Sequence, residues 1–270
     1  MKSGLCAGTL NIRAENYLHL ILPWSAVYGL GKSKPLPLVV FVQGCGFFTP
    51  DYSVQLPQLS VLARRGYVVA MVGHSDVREG VPFPGYLEDI KCAIRFLRNN
   101  SQKYSIDSER IAIWGTSSGG NAALMVGLTG DDPQFKVGDC LQESDAVTAV
   151  IDFFGPADMP ELMQGSSKEA SIIRSSMRSY GFDAYEIQQR CCQISPLFVP
   201  IQNKQYPSFL LIHGEADTLV PISHSRRMAE RLIKNNIACT MYSVEGANHE
   251  EYVWSNRVLD IVFDFIDKRL

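Results

Sequence analysis

RIAIWGTSSGGNAAL, residues 110–124, holds an apolar run, a Gly/Ser turn and a helix start in direct succession. Residues 110–114 read as a strand, and Ala122 to Leu128 reads as helix. Between them Gly115-Thr116-Ser117-Ser118-Gly119 fits G-x-S-x-G, followed by Gly120. The pattern is common by chance, but its place between strand and helix is what a nucleophile elbow requires. So tight a turn needs small residues two before and two after the serine. Gly115 and Gly119 meet that need for Ser117, whereas Ser118 would have Thr116 at the first of those positions. A phosphate-binding turn is the competing account. It lacks support, because the stretch has neither a Walker lysine nor GxGxxG spacing.

Outward from this stretch the chain alternates strand and helix. Apolar runs at 16–22 (closed by Pro23 and Trp24), 38–42, 67–72, 147–154, 208–212 and 239–244 read as strands. Continuous apolar runs such as LVVFV suit strands buried on both faces of a parallel sheet. Helices are expected at 55–65, 86–99, 223–235 and 252–267. In the second of these, Leu87, Ile90, Ile94 and Leu97 mark one face. This predicts an α/β fold, a mostly parallel central sheet flanked by helices. Residues 156–206 hold helical fragments and no strand run, which predicts a cap inserted within a single domain spanning 1–270. In that cap Arg174 and Arg178 are spaced i, i+4; they could face a substrate carboxylate, and a solvated helix face is the favoured reading.

A serine hydroxyl needs a base to remove its proton. Elbow serines take their partners in the chain order Ser, acid, His. Of the histidines at 19, 74, 213, 224 and 249, His249 lies in a loop after the last strand, where sites on open α/β sheets gather. The orienting carboxylate falls in HGEADTLVP, residues 213–221. Asp217 is favoured over Glu215, and His213 reads as a structural residue at the strand end. The oxyanion needs preorganised donors. The Ser118 amide and the Cys45 and Gly46 amides, after strand 38–42, are the candidates. Cys45 has no elbow around it and is not read as a nucleophile. Each of these residues has a plainer role open to it: a surface histidine, a turn-forming acid, a loop glycine.

Composition narrows the function. With 25 basic against 28 acidic residues, net −3, a general nucleic-acid binder is not expected. No apolar stretch approaches the ~18–20 residues that span a bilayer, so no membrane partner is expected. The start, MKSGLCAGTL, does not read as a signal peptide. Seven cysteines without a CxxC pair predict reduced thiols and a cytoplasmic location. No cofactor and no metal are expected. A homodimer stays open.

The chain resembles the α/β-hydrolase fold, in the esterase branch with HGGG-like oxyanion loops and G-x-S-A-G-G elbows. Within that branch it is similar to bacterial feruloyl and acetyl-xylan esterase-like hydrolases, the bifunctional carbohydrate esterases. PLVVFVQGCGFF, RRGYVVAMVGH, DIKCAIRFLRNN, IDSERIAIWGTSSGGNAAL, VIDFFGPAD, ISPLFV, LLIHGEADTLVP and EGANHE carry the likeness, over about residues 16–268. Gln43 stands where many relatives have His, Cys45 where they have Gly or Ser, and Ser118 where Ala is common. The resemblance implies a Ser117–His249–Asp217 triad and a serine carboxylesterase. Its substrates would be small-molecule acyl or aryl esters, feruloyl or acetyl esters of plant oligosaccharides among them. A prolyl-oligopeptidase-like serine peptidase is the alternative. It usually brings a gating propeller, for which this chain has no room. Phe47, Phe48, Phe182 and Tyr185 are the expected substrate-binding aromatics, with ordinary packing as the rival account of each.

Overall fold

The computed structural model describes residues 5–13, 16–23 and 34–270. Eight strands form one sheet: β1 (Leu5–Arg13), β2 (Asn16–Pro23), β3 (Leu36–Val42), β4 (Val68–Val72), β5 (Ile106–Thr116), β6 (Ala149–Phe153), β7 (Ser208–Gly214) and β8 (Cys239–Val244). Their spatial order is β1-β2-β4-β3-β5-β6-β7-β8. β3 to β8 are mutually parallel, while β1–β2 and β2–β4 pair antiparallel. The expected α/β architecture is therefore present. The expected closure at Trp24 lies outside the described residues. β1 was not foreseen. It is an edge strand in register with β2 from Leu5↔Pro23 to Asn11↔Tyr17, and backbone pairing rather than an apolar run defines it.

Period-two alternation divides the core. Leu38, Val40, Val42, Ile111 and Ile113 face one layer, while Val39, Phe41, Ala112 and Trp114 face the other. The first layer packs against helices α2 (Gly85–Asn99), α4 (Ser118–Leu128) and α8 (Ser223–Lys234). The second packs against α1 (Leu56–Arg64) and α9 (Asn256–Arg269). A short α3 (Ser101–Tyr104) leads into β5. α4 is buried along its whole length, as an apolar helix without a polar face must be. In α2 the spacing of Leu87, Ile90, Ile94 and Leu97 does mark a buried face. Lys91 and Arg95, next to that face, are buried too, because both pair with Asp145 at 2.8 and 2.9 Å.

The interval 156–206 carries three helices, α5 (Met159–Gln164), α6 (Lys168–Ser179) and α7 (Ala184–Gln193), and no strand. Side chains start each of them. Asp158 accepts from the Glu161 amide, Ser167 accepts from the Ala170 amide, and Asp183 and Glu186 form a capping box. No helix among the described residues is long and apolar enough to cross a membrane.

Parallel pairing brings the C-terminal ends of β3, β5, β6, β7 and β8 to one edge. Val42 lies opposite Gly115, Thr116 opposite Phe153, Phe153 opposite Ile212, and Gly214 opposite Val244. The loops leaving that edge carry the residues singled out above.

Candidate active site

Ser117 lies at the junction of β5 and α4, at φ +50° and ψ −119°. A non-glycine residue takes such a conformation only when its surroundings impose it. The surroundings here are backbone. A Cβ on Gly115 would stand 1.9 Å from the Gly119 carbonyl oxygen, and one on Gly119 would stand 2.0 Å from that of Val42. Glycine at both positions is thus a steric requirement, and the serine between them is thrust out of the sheet edge.

The Ser117 hydroxyl donates to His249 Nε2 at 3.0 Å. His249 Nδ1 donates to Asp217 Oδ2 at 2.8 Å. The carboxylate partner places the ring proton on Nδ1 and leaves Nε2 free to accept. Asp217 Oδ1 takes the amides of Leu219 and Val220, each at 2.9 Å. Burial alone would raise the Asp217 carboxyl. Hydrogen bonds from His213 and His249, the charge of His249 and the Val220 amide outweigh it and hold the group well below the usual carboxylate range. Asn248 joins the two loops, its Oδ1 accepting from the His249 amide at 2.8 Å and from the Thr218 amide at 3.0 Å. The Phe154 ring meets the His249 ring edge-on at 4.5 Å between centroids.

Glu215, the rival acid, is exposed and accepts from the Ser243 hydroxyl at 2.6 Å. His213 does more than close a strand. It is fully buried, and its Nε2 donates to the Val220 carbonyl at 2.8 Å and lies 3.3 Å from Asp217 Oδ2. Its Nδ1 pairs with the Ser225 hydroxyl at 2.7 Å. Sequence reasoning missed this positioning role. The available signal was the four-residue spacing from His213 to Asp217 across a strand end.

The oxyanion expectation needs one correction. The Cys45 amide donates to Ser118 Oγ at 3.0 Å and is not free for a substrate oxygen. The Gly44 amide is likewise bound, to Thr116 Oγ1 at 2.8 Å. Those two bonds pin the loop after β3 onto the elbow. The amides of Gly46 and Ser118 donate to nothing among the described residues. Ser118 thus contributes its side chain to the loop as well as its amide, which the expectation had not included.

Ser117, Ser118, Gly46 and Phe47 line a cavity of about 30 Å³, closed by Leu162 and Met163 of α5 and Glu169, Ala170 and Ile173 of α6. Helices of the interval 156–206 therefore lie over Ser117. Phe47 is the one expected aromatic in this lining. Phe48, Phe182 and Tyr185 are not part of it. Phe48 lies under the Arg78 guanidinium at 4.3 Å, and Phe182 under that of Arg190 at 4.0 Å. Tyr185 is 68% exposed. Aromatic residue type marked all four alike, and only packing separates them.

Beneath the site Asp152, on β6, is fully buried. Its Oδ1 accepts from the Gly155 amide at 2.9 Å, while Oδ2 has no partner among the described residues. Burial pushes this carboxyl from 3.8 up to about 7, against the opposing charge of His213 and the Gly155 amide. The fold then binds this proton more tightly than the unfolded chain does. Its stabilising effect is complete below about pH 4 and is lost as pH rises through 7. A shift of this size corresponds to at most about 4 kcal/mol. Wild-type protein should lose a few kcal/mol more than Asp152→Asn between pH 5 and pH 8. Urea unfolding at both pH values measures the difference, and parallel losses in the two proteins would refute the assignment.

Known proteins resemble this chain in sequence and in fold. Esterase LipC of Mycobacterium tuberculosis is 30% identical over 208 residues, which is 74% of this chain and 49% of that protein. Esterase LipQ of the same organism is 25% identical over 245 residues, 88% of this chain and 56% of that protein. The chain spans about half the length of these curated relatives. A solved structure described as a bifunctional GH43-CE of Bacteroides eggerthii superposes with TM-score 0.79 at 26% identity, covering 93% of this chain and 33% of that one. A truncated carbohydrate esterase from gut microbiota superposes with TM-score 0.80 at 24% identity, over 100% of this chain and 96% of that one, and shares the fold. These superpositions identify the architecture as the α/β-hydrolase fold. The BD-FAE family model matches residues 28–232, a span holding the loop after β3, the elbow, the cap and the Asp217 loop, and the chain belongs to that family.

Proposed function

We propose that the chain is a serine carboxylesterase that cleaves short acyl esters, acetyl esters first among them, through an acyl-enzyme. The observation that carries this reading is the unbroken hydrogen-bond chain from Ser117 through His249 to Asp217, opening on the cavity under the cap. In the reaction, Ser117 Oγ attacks the ester carbonyl carbon as its proton passes to His249 Nε2. The carbonyl oxygen becomes an oxyanion, held by the free amides of Gly46 and Ser118. The C–O bond to the alcohol breaks, and that oxygen takes the proton back from the imidazolium. Water, activated by the same imidazole, then hydrolyses the acyl-serine.

Size supports a small acyl group. About 30 Å³ has room for little more than one water-sized body, which suits a methyl group and not an aromatic acyl chain. The alcohol, too large for this cavity, would lie outside it, and the cavity-lining Glu169 and Ser167 offer acceptors to hydroxyl groups such as a carbohydrate-linked ester presents. The relatives LipC and LipQ are named esterases, which supports ester hydrolysis and not a particular acyl or alcohol group.

A panel of acetyl, butyryl, octanoyl and feruloyl esters with a prolyl amide tests this. Acetyl esters should give the highest kcat/KM, with octanoyl and feruloyl at least about tenfold lower; a tenfold ratio needs about 1.4 kcal/mol of discrimination. A preference for the feruloyl ester would place aromatic acids in the acyl site. A preference for the prolyl amide would make the chain a peptidase.

A further inference from the structure

A second cavity, of about 200 Å³, lies wholly within the cap, between α5, α6 and α7. Met163, Ile187 and Cys191, all buried, line its apolar part. Arg174 and Arg178, one turn apart on α6, and the Gln188 amide on α7 line its polar part. No Asp or Glu is among its lining residues. Arg174 uses Nη1 on the carbonyls of Met163 and Gly165, at the end of α5, and its Nε and Nη2 have no partner among the described residues. Arg178 has none there at all. A guanidinium carries five donors in a fixed fork that matches a carboxylate. Two such forks without acids, above an apolar floor, are an unusual use of arginine in a chain of net charge −3.

We propose that this cavity is a binding site for a small amphipathic monocarboxylate, with its carboxylate between Arg174 and Arg178 and an apolar body about one ring in size on Met163, Ile187 and Cys191. The volume sets the size. It corresponds to about seven waters of liquid and falls below the range of drug-sized pockets. Charge sets the head group, because the lining provides two cations and no anion. The i, i+4 arginines that read in sequence as a solvated helix face are the recognition elements. Met163 lines both this cavity and the one at Ser117, so a ligand here braces one wall of the acyl site. The site does not depend on the esterase reading, because binding requires no turnover.

Titration calorimetry with cinnamate, and with neutral cinnamamide as control, tests the proposal on the full chain. Ser117 is first phosphonylated with a small organophosphonate, so that the catalytic cavity is closed; mass spectrometry checks the adduct. If Ser117 resists phosphonylation, the esterase reading is in question, and the titration proceeds on the untreated chain with a competing acetyl ester. Cinnamate should bind with submillimolar Kd whether or not Ser117 is blocked, and cinnamamide should bind at least tenfold more weakly. Arg178→Gln should weaken cinnamate at least tenfold. Gln188→Glu, which sets a carboxylate in the pocket, should abolish binding. Arg178 and Gln188 are both exposed, and circular dichroism verifies that each variant is folded. Loss of binding on blocking or competing at Ser117 would move the ligand to the catalytic cavity and overturn the proposal. Absence of cinnamate binding at 10 mM, or wild-type affinity in both variants, would also overturn it.

Discussion

Ser117→Ala should reduce acetyl-ester turnover by about 10⁵-fold or more while leaving the fold intact, since a nucleophile and its base act as one unit. The physical ground is the elbow. Ser117 holds its strained backbone because Gly115 and Gly119 leave room only for that turn, and alanine can take the same backbone as serine. The substitution removes one hydroxyl, whose one hydrogen bond among the described residues runs to His249. Stability should therefore change little, and matching circular dichroism and urea midpoints would show it. The contrast is Ser118→Ala. Its side chain holds the Cys45 amide at 3.0 Å, so its removal should loosen the loop carrying Gly46 and lower kcat by about tenfold, the worth of one hydrogen bond. Full turnover in folded Ser117→Ala would return the nucleophile to the neighbouring serine or to another group.

The parallel strands were legible because strands buried on both faces are apolar at nearly every position: LVVFV is wholly so, and in VTAVIDFF the buried Asp152 is the exception within β6. The elbow was legible because backbone sterics forbid other residues at Gly115 and Gly119. β1 was not, since its pairing with β2 is carried by main-chain groups common to every residue. Burial of Lys91 and Arg95 could not be read either, because their partner Asp145 lies about fifty residues away and charged residues are rarely buried without one. The oxyanion donors were half legible. Glycines mark a loop that can turn its amides inward, but which amide stays free depends on Ser118 Oγ and Thr116 Oγ1 having already taken the Cys45 and Gly44 amides. The aromatics at 47, 48, 182 and 185 could not be told apart in sequence for a similar reason. A phenyl ring under an arginine and one facing a substrate have the same sequence signature.

Asp217→Asn should lower kcat by about 10³–10⁴-fold, while Glu215→Gln should stay within about threefold of wild type. Four donors converge on the Asp217 carboxylate: His249 Nδ1, His213 Nε2 and the amides of Leu219 and Val220. A carboxylate can accept all four, because neither of its oxygens carries a proton. Asparagine has one oxygen. The two amides claim it, since both bond to Oδ1 at 2.9 Å. The asparagine nitrogen then occupies the Oδ2 position and presents hydrogens to His249 Nδ1. His249 must accept there, which puts its proton on Nε2 and blocks removal of the Ser117 proton. The same hydrogens face His213, so some stability should be lost together with activity. The pair of readouts discriminates, because a purely structural role for Asp217 would lower the urea midpoint and leave kcat per folded molecule unchanged. Glu215 has no such convergence of donors; the one hydrogen bond to its carboxylate among the described residues comes from Ser243 at the surface. Equal losses in the two variants, or a larger loss in Glu215→Gln, would transfer the acid role and break the chain of hydrogen bonds on which the esterase reading rests.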